Sequence, residues 1–136
     1  MKTLLIIASV LLLTGCSTFN SFLVAKYDTN EYELINWIRT TAELSVETCD
    51  NNEVSKENFV TLYRSSLEFK NYTQYLRRNT DTHELANNLY KIVDQGVELY
   101  ASSEIVSPAF CELSLAQITE SATTIQQVIG DKPRWT

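Results

Sequence analysis

Three sets of side chains in this 136-residue chain are of the kind that does chemistry: one histidine, three cysteines, and carboxylates spaced four apart. His83 has no partner histidine. Histidine-based zinc sites need a second ligand at close spacing, and a di-iron bundle needs Glu-x-x-His pairs; neither pattern occurs. Lying between Asp81 and Glu84 in the first turn of an expected helix, His83 reads as a surface residue. Glu43 with Glu47, and Asp94 with Glu98, each stack two carboxylates on one helix face. Such pairs serve glycoside hydrolysis when they flank a cleft and one is partly buried; on polar faces they read as solvated surface. There is no Gly-rich phosphate loop and no G-x-S-x-G nucleophile elbow. The sequence therefore predicts no catalytic residues, no metal site and no cofactor.

The first cysteine belongs to a different kind of pattern. A single basic residue, Lys2, precedes an apolar run from Leu4 to Leu13, and Leu13-Thr14-Gly15-Cys16 follows. Charged start, short apolar middle and small residues at a cleavage point describe a secretory signal peptide. The run is too short to span a bilayer, which takes about 20 residues. Leu-Thr-Gly-Cys resembles the lipobox of bacterial lipoproteins. That resemblance, confined to residues 1–16, implies cleavage before Cys16, a thioether from Cys16 to diacylglycerol, and acylation of the new amino group. Ser17 follows. By resemblance to lipoprotein sorting in enteric bacteria, where aspartate at that place retains the protein inside, this implies an outer-membrane anchor facing the periplasm.

Export places Cys49 and Cys111 in an oxidising compartment, where two cysteines most often pair. No C-x-x-C motif offers a redox alternative. The expected disulfide requires the two Cα atoms to lie about 4.4–6.8 Å apart.

Charge narrows the partners. Lys+Arg is 11 and Asp+Glu is 17; removing Lys2 with the leader leaves 10 against 17, a net charge of −7. Such a surface repels nucleic acid and anionic lipid headgroups, and a protein partner would be basic. The mature length allows one modest core.

The boundaries read as a signal peptide over 1–15, a lipidated tether over 16–27, a helical domain over 28–130 and a C-terminal tail over 131–136. Between Asp28 and Ile129 there is one glycine, Gly96, and one proline, Pro108, which disfavours a sheet protein with its frequent turns. Four helix starts divide the domain: a capping box at Asp28 and Glu31 with a Tyr27/Tyr32 staple, a cap at Ser55, a second box at Asp81 and Glu84, and Ser107 followed by Pro108. Gly130 and Pro133 mark the end. Apolar residues recur at helical spacing in each segment, for example Ile35, Ile38, Ala42, Val46 and Cys49 in the first. Short connections make consecutive helices antiparallel neighbours, so the expected fold is all-α, an up-down-up-down four-helix bundle with one disulfide. In that topology Cys49 and Cys111 meet at one end, on adjacent helices. The second segment, with five bases and two acids over 56–78, falls between acidic ones, which favours the same order.

Aromatic placement gives the remaining signal. Trp37 and Leu44 lie off the core stripe of the first helix, and Tyr72 and Tyr75 widen the apolar face of the second. Beside Glu43 and Glu47 they compose a candidate partner-binding surface, since exposed aromatics supply interface area. The expected function is that of a membrane-anchored, non-catalytic protein-binding lipoprotein with an inhibitory, immunity or envelope-modifying role. Structural or assembly lipoproteins and a small envelope enzyme are the alternatives.

Overall fold

The caps and stripes of the sequence become four helices in the computed structural model, which describes residues 24–134. Helix α1 spans Thr29–Ser45. Its cap is Asp28, which accepts from the Glu31 amide at 2.8 Å, and the Tyr27 and Tyr32 rings sit 5.9 Å apart as the expected staple. A 3₁₀ turn, Val46–Thr48, tightens its end. Helix α2 spans Asn52–Tyr75, capped by Asn51, which accepts from the Val54 amide at 3.2 Å. The cap expected at Ser55 is displaced four residues upstream. Ser55 is buried, and its hydroxyl donates to the Thr48 carbonyl at 2.8 Å, tying α2 to the turn before it. Helix α3 spans Thr80–Ser102 and follows Asn79, whose side chain makes no capping bond. Helix α4 spans Pro108–Gly130, with Ser107 accepting from the Phe110 amide at 3.3 Å and Pro108 in the first turn, the combination read from the sequence.

The fold is all-α and antiparallel. Each helix packs on its sequence neighbours, and α4 closes the ring against α1. Cys49 and Cys111 form a disulfide with a Cα–Cα distance of 5.6 Å, inside the expected window. Two places now define the molecule. At the tether end, residues 24–27 meet the start of α1, the α2–α3 turn and the end of α4. At the disulfide end lie the 3₁₀ turn, the start of α2 and the α3–α4 loop.

The core holds the expected stripes of α1 and α4, with Ile35, Ile38, Leu115, Ile118, Ile125 and Ile129 fully buried. Two positions differ. Val46 is exposed because the helix tightens there into the 3₁₀ turn and its face rotates outward. On α3, where apolar spacing puts Leu85, Leu89, Ile92 and Val93 on the core face, Ala86 is buried and Leu85 and Ile92 are only partly so. Buried hydroxyls bond to the preceding turn: Ser66 Oγ to the Tyr63 carbonyl at 3.0 Å, and Thr73 Oγ1 to the Lys70 carbonyl at 2.8 Å.

Gly96 lets α3 approach the Phe59 ring of α2. A Cβ at 96 would stand 2.4 Å from Phe59 Cε1, and Phe59 is itself fully buried. Gly96→Ala gains about 1 kcal/mol of helix propensity but forces the ring to move, at about 1–3 kcal/mol. The expected outcome is a net loss of about 1 kcal/mol, read as a lower urea midpoint at unchanged slope. Phe59→Leu in the same chain should restore part of it, giving a favourable coupling between the two sites; simple additivity would refute the clash.

Candidate functional site

The tether end is built around a buried charge. Glu31 is completely enclosed, its carboxylate turned into the bundle instead of back to its own helix start. Lys132 Nζ donates to Glu31 Oε2 at 2.6 Å and to Asn79 Oδ1 at 2.6 Å, while Asn79 Nδ2 donates to Glu31 Oε1 at 2.6 Å. Asn79 Nδ2 also reaches the Thr73 carbonyl at 3.3 Å. Three elements are thereby tied: the start of α1, the α2–α3 turn and the segment after α4. This explains why Asn79 does not cap α3: its amide is committed to the ion pair. The turn is sharp enough that Arg78 adopts φ 61°, a left-handed conformation that few non-glycine residues take. Residues 131–134, read from the sequence as a tail, are structural: the Tyr27 amide donates to the Pro133 carbonyl at 3.1 Å, and the Arg134 guanidinium lies 4.3 Å from the Tyr27 ring centroid.

A cavity of about 210 Å³ opens beside this network, lined in part by Val24, Arg78, Asp81, Val128 and Lys132. A shallower groove of about 570 Å³ lies between α1 and α4, lined by Tyr32, Arg39, Gln126 and Gln127 among others. His83 lines neither. It is half-buried, with Nδ1 3.1 Å from Thr73 Oγ1 and 3.2 Å from the Lys70 carbonyl, so it links α3 to α2. Among the described residues no group of three or more His, Cys, Asp or Glu side chains converges as a metal site. Tyr63 and Tyr90 share a hydrogen bond at 2.8 Å, which pushes the Tyr90 phenol up to about 12, away from acid–base work at neutral pH. Glu43 is paired with Arg39 at 2.6 Å.

The candidate interface residues separate along the molecule. Trp37 is 47% exposed and Leu44 63% exposed on the outer face of α1, seven residues and about 10 Å apart. Tyr75 is 84% exposed at the end of α2. Tyr72 is half-buried: its hydroxyl donates to Asp28 Oδ1 at 2.9 Å and accepts from Asn30 Nδ2 at 3.3 Å. Burial, reinforced by the Asp28 carboxylate, raises its pKa. Tyr72 therefore clamps the cap of α1 from the second helix. Asn30, Trp37 and Leu44 are spaced by sevens, so the set runs as a line from Tyr72 at the tether end to Leu44 near the disulfide end. Glu43 and Glu47 border only its far end. Cys16 lies outside the described residues.

Comparison of the chain with family models, with curated proteins and with solved structures gives no match. What the chain does has to be argued from its own surface. Cut at the helix midpoints, the tether half (24–37, 64–91 and 119–134) holds eight acids and eight bases. The disulfide half (38–63 and 92–118) holds nine acids and two bases. Among the described residues all of the net charge thus sits in the half away from residues 24–27. Sequence reasoning missed this polarity because no single segment displays it; only antiparallel folding brings the start of α2 beside the ends of α1 and α3. It also missed Ile105, Phe110 and Leu113, which are large and exposed at that end.

Proposed function

We propose that this chain is a non-catalytic protein-binding module, held by lipid on Cys16 at the periplasmic face of the outer membrane. The observation that carries the reading is the pair Trp37 and Leu44, large apolar residues left open on the outer face of α1 with Glu43 and Glu47 beside Leu44. Isolated exposed apolar residues are ordinary, but an aligned aromatic and aliphatic pair is interface material. The tether supports the geometry: residues 24–27 join the bundle at the electrically neutral end, so a lipid on Cys16 would leave the acidic half directed away from anionic headgroups. Inhibition of an envelope enzyme is one form such binding would take.

The test uses the full chain in envelope-intact bacterial cells. A photocrosslinking residue in place of Leu44 is expected to give a discrete protein adduct in the membrane fraction, reduced at least about tenfold by Trp37→Ala, whose thermal midpoint should stay nearly unchanged. Cys16→Ser should abolish acyl labelling and membrane retention. Persistent labelling of that mutant refutes the anchor. Absence of any adduct, or a large stability loss on Trp37→Ala, refutes the binding surface.

A further inference from the structure

We infer that the disulfide end is a preformed docking surface for a basic polypeptide, with Ile105, Phe110 and Leu113 as its apolar anchors. This rests on the protein-binding reading and adds to the Trp37–Leu44 line a second contact surface, with the chemistry of what it takes. Ile105 is 76% exposed and Leu113 69% exposed, on the α3–α4 loop and the first turns of α4.

The loop that presents Ile105 is fixed on both sides by one residue. Asn52 Nδ2 donates to the Glu104 carbonyl at 3.3 Å, and Asn52 Oδ1 accepts from the Val106 amide at 3.0 Å. Val106 is buried, so the chain is pinned while the side chain between its two hydrogen-bonded neighbours points outward. Phe110 directly precedes Cys111, and Leu113 lies two residues beyond it, so the disulfide to Cys49 fixes the helical turn that carries both to the end of α1. The 3₁₀ turn packs against α4, and its Val46, three residues before Cys49, is exposed as well. Apolar side chains held rigid before contact lose little freedom on binding, which is the condition for tight association.

Charge selects the occupant. With nine acids against two bases in this half, a second copy of the chain, an anionic membrane and nucleic acid are all repelled. A basic polypeptide is steered in, and its apolar residues can settle among the three anchors. Glu104 and Glu112 stand next to Ile105 and Leu113 in sequence and are both exposed.

The probe is a random peptide library, selected on the full chain in detergent and captured through a tag after Thr136. The Tyr27–Pro133 hydrogen bond holds Pro133 at the tether end, opposite the disulfide. Enriched peptides are expected to be net positive and to contain apolar residues. Their affinity should fall about tenfold or more between low and half-molar salt. It should fall at least about tenfold on the triple variant Ile105→Ser, Phe110→Ser, Leu113→Ser. Asn52→Ala, which frees the loop, should weaken binding to a smaller extent. Far-UV circular dichroism and the melting midpoint of the triple variant, compared with the parent, separate lost binding from lost fold. Basic peptides that bind the folded triple variant unchanged overturn this surface and leave the module reading standing. Neutral or acidic peptides overturn the partner class. A library that yields no binder anywhere on the chain overturns both.

Discussion

Lys132→Ala is expected to destabilise the domain by about 3–5 kcal/mol, because it strands the fully buried Glu31 carboxylate without its counter-charge. Against a total of about 5–15 kcal/mol for a natural domain, that is enough to unfold a substantial fraction of it. The size follows from asymmetry: making a buried ion pair returns little net energy, but removing one partner leaves an unpaired charge in a poor solvent for it. Two comparisons make the result specific. Glu31→Met with Lys132→Met should recover most of the loss, since no charge is then stranded, with a remainder from the Asn79 amide, which loses Glu31 and Lys132 and keeps only the Thr73 carbonyl. Asp131→Ala, one residue away and exposed, should change stability by less than about 0.5 kcal/mol. Urea unfolding of the four chains provides the numbers. A Lys132→Ala midpoint equal to that of the parent would show that the pair contributes nothing.

Removing the disulfide should cost about as much by a different route. Cys49 and Cys111 are 62 residues apart in sequence, and closing a loop of that length restricts the unfolded chain by about 4 kcal/mol in the chain-entropy model. For a domain of this size the Cys49→Ala/Cys111→Ala variant is expected to melt on the order of 15–20 °C lower. Helical content should persist at room temperature, because the aliphatic and aromatic core residues of all four helices remain when the two sulfurs are removed. The loss should be larger in the unfolding midpoint than in any helical signal at low temperature. A midpoint within about 2 °C of the parent would mean that the reduced unfolded chain is already as restricted as the crosslinked one.

How much of this was legible beforehand can be traced residue by residue. Ser107-Pro108 announces α4 and delivers it, because a proline in the first turn and a hydroxyl before it are local requirements. Asp28 announces α1 for the same reason. Ser55 and the Asp81/Glu84 box mislead, and in both cases the competing demand is tertiary. Ser55 is taken inside to hold the 3₁₀ turn, and α3 starts after Asn79, whose amide is taken by an ion pair between residues 101 apart. Glu31 looks like the back-reaching half of a capping box, yet its carboxylate serves the core.

The amino-acid sequence by itself determined the four helices, their antiparallel order and the Cys49–Cys111 bond. Each depends on near-neighbour spacing, on scarce glycine and proline, and on the parity of a bundle that returns alternate helix ends to the same side. The tertiary structure alone decided that Lys132 would leave the tail and enter the core. It also gathered the net charge at the disulfide end and left Ile105, Phe110 and Leu113 uncovered there. Those properties belong to residues distant in sequence, and nothing in the spacing of either partner encodes the meeting.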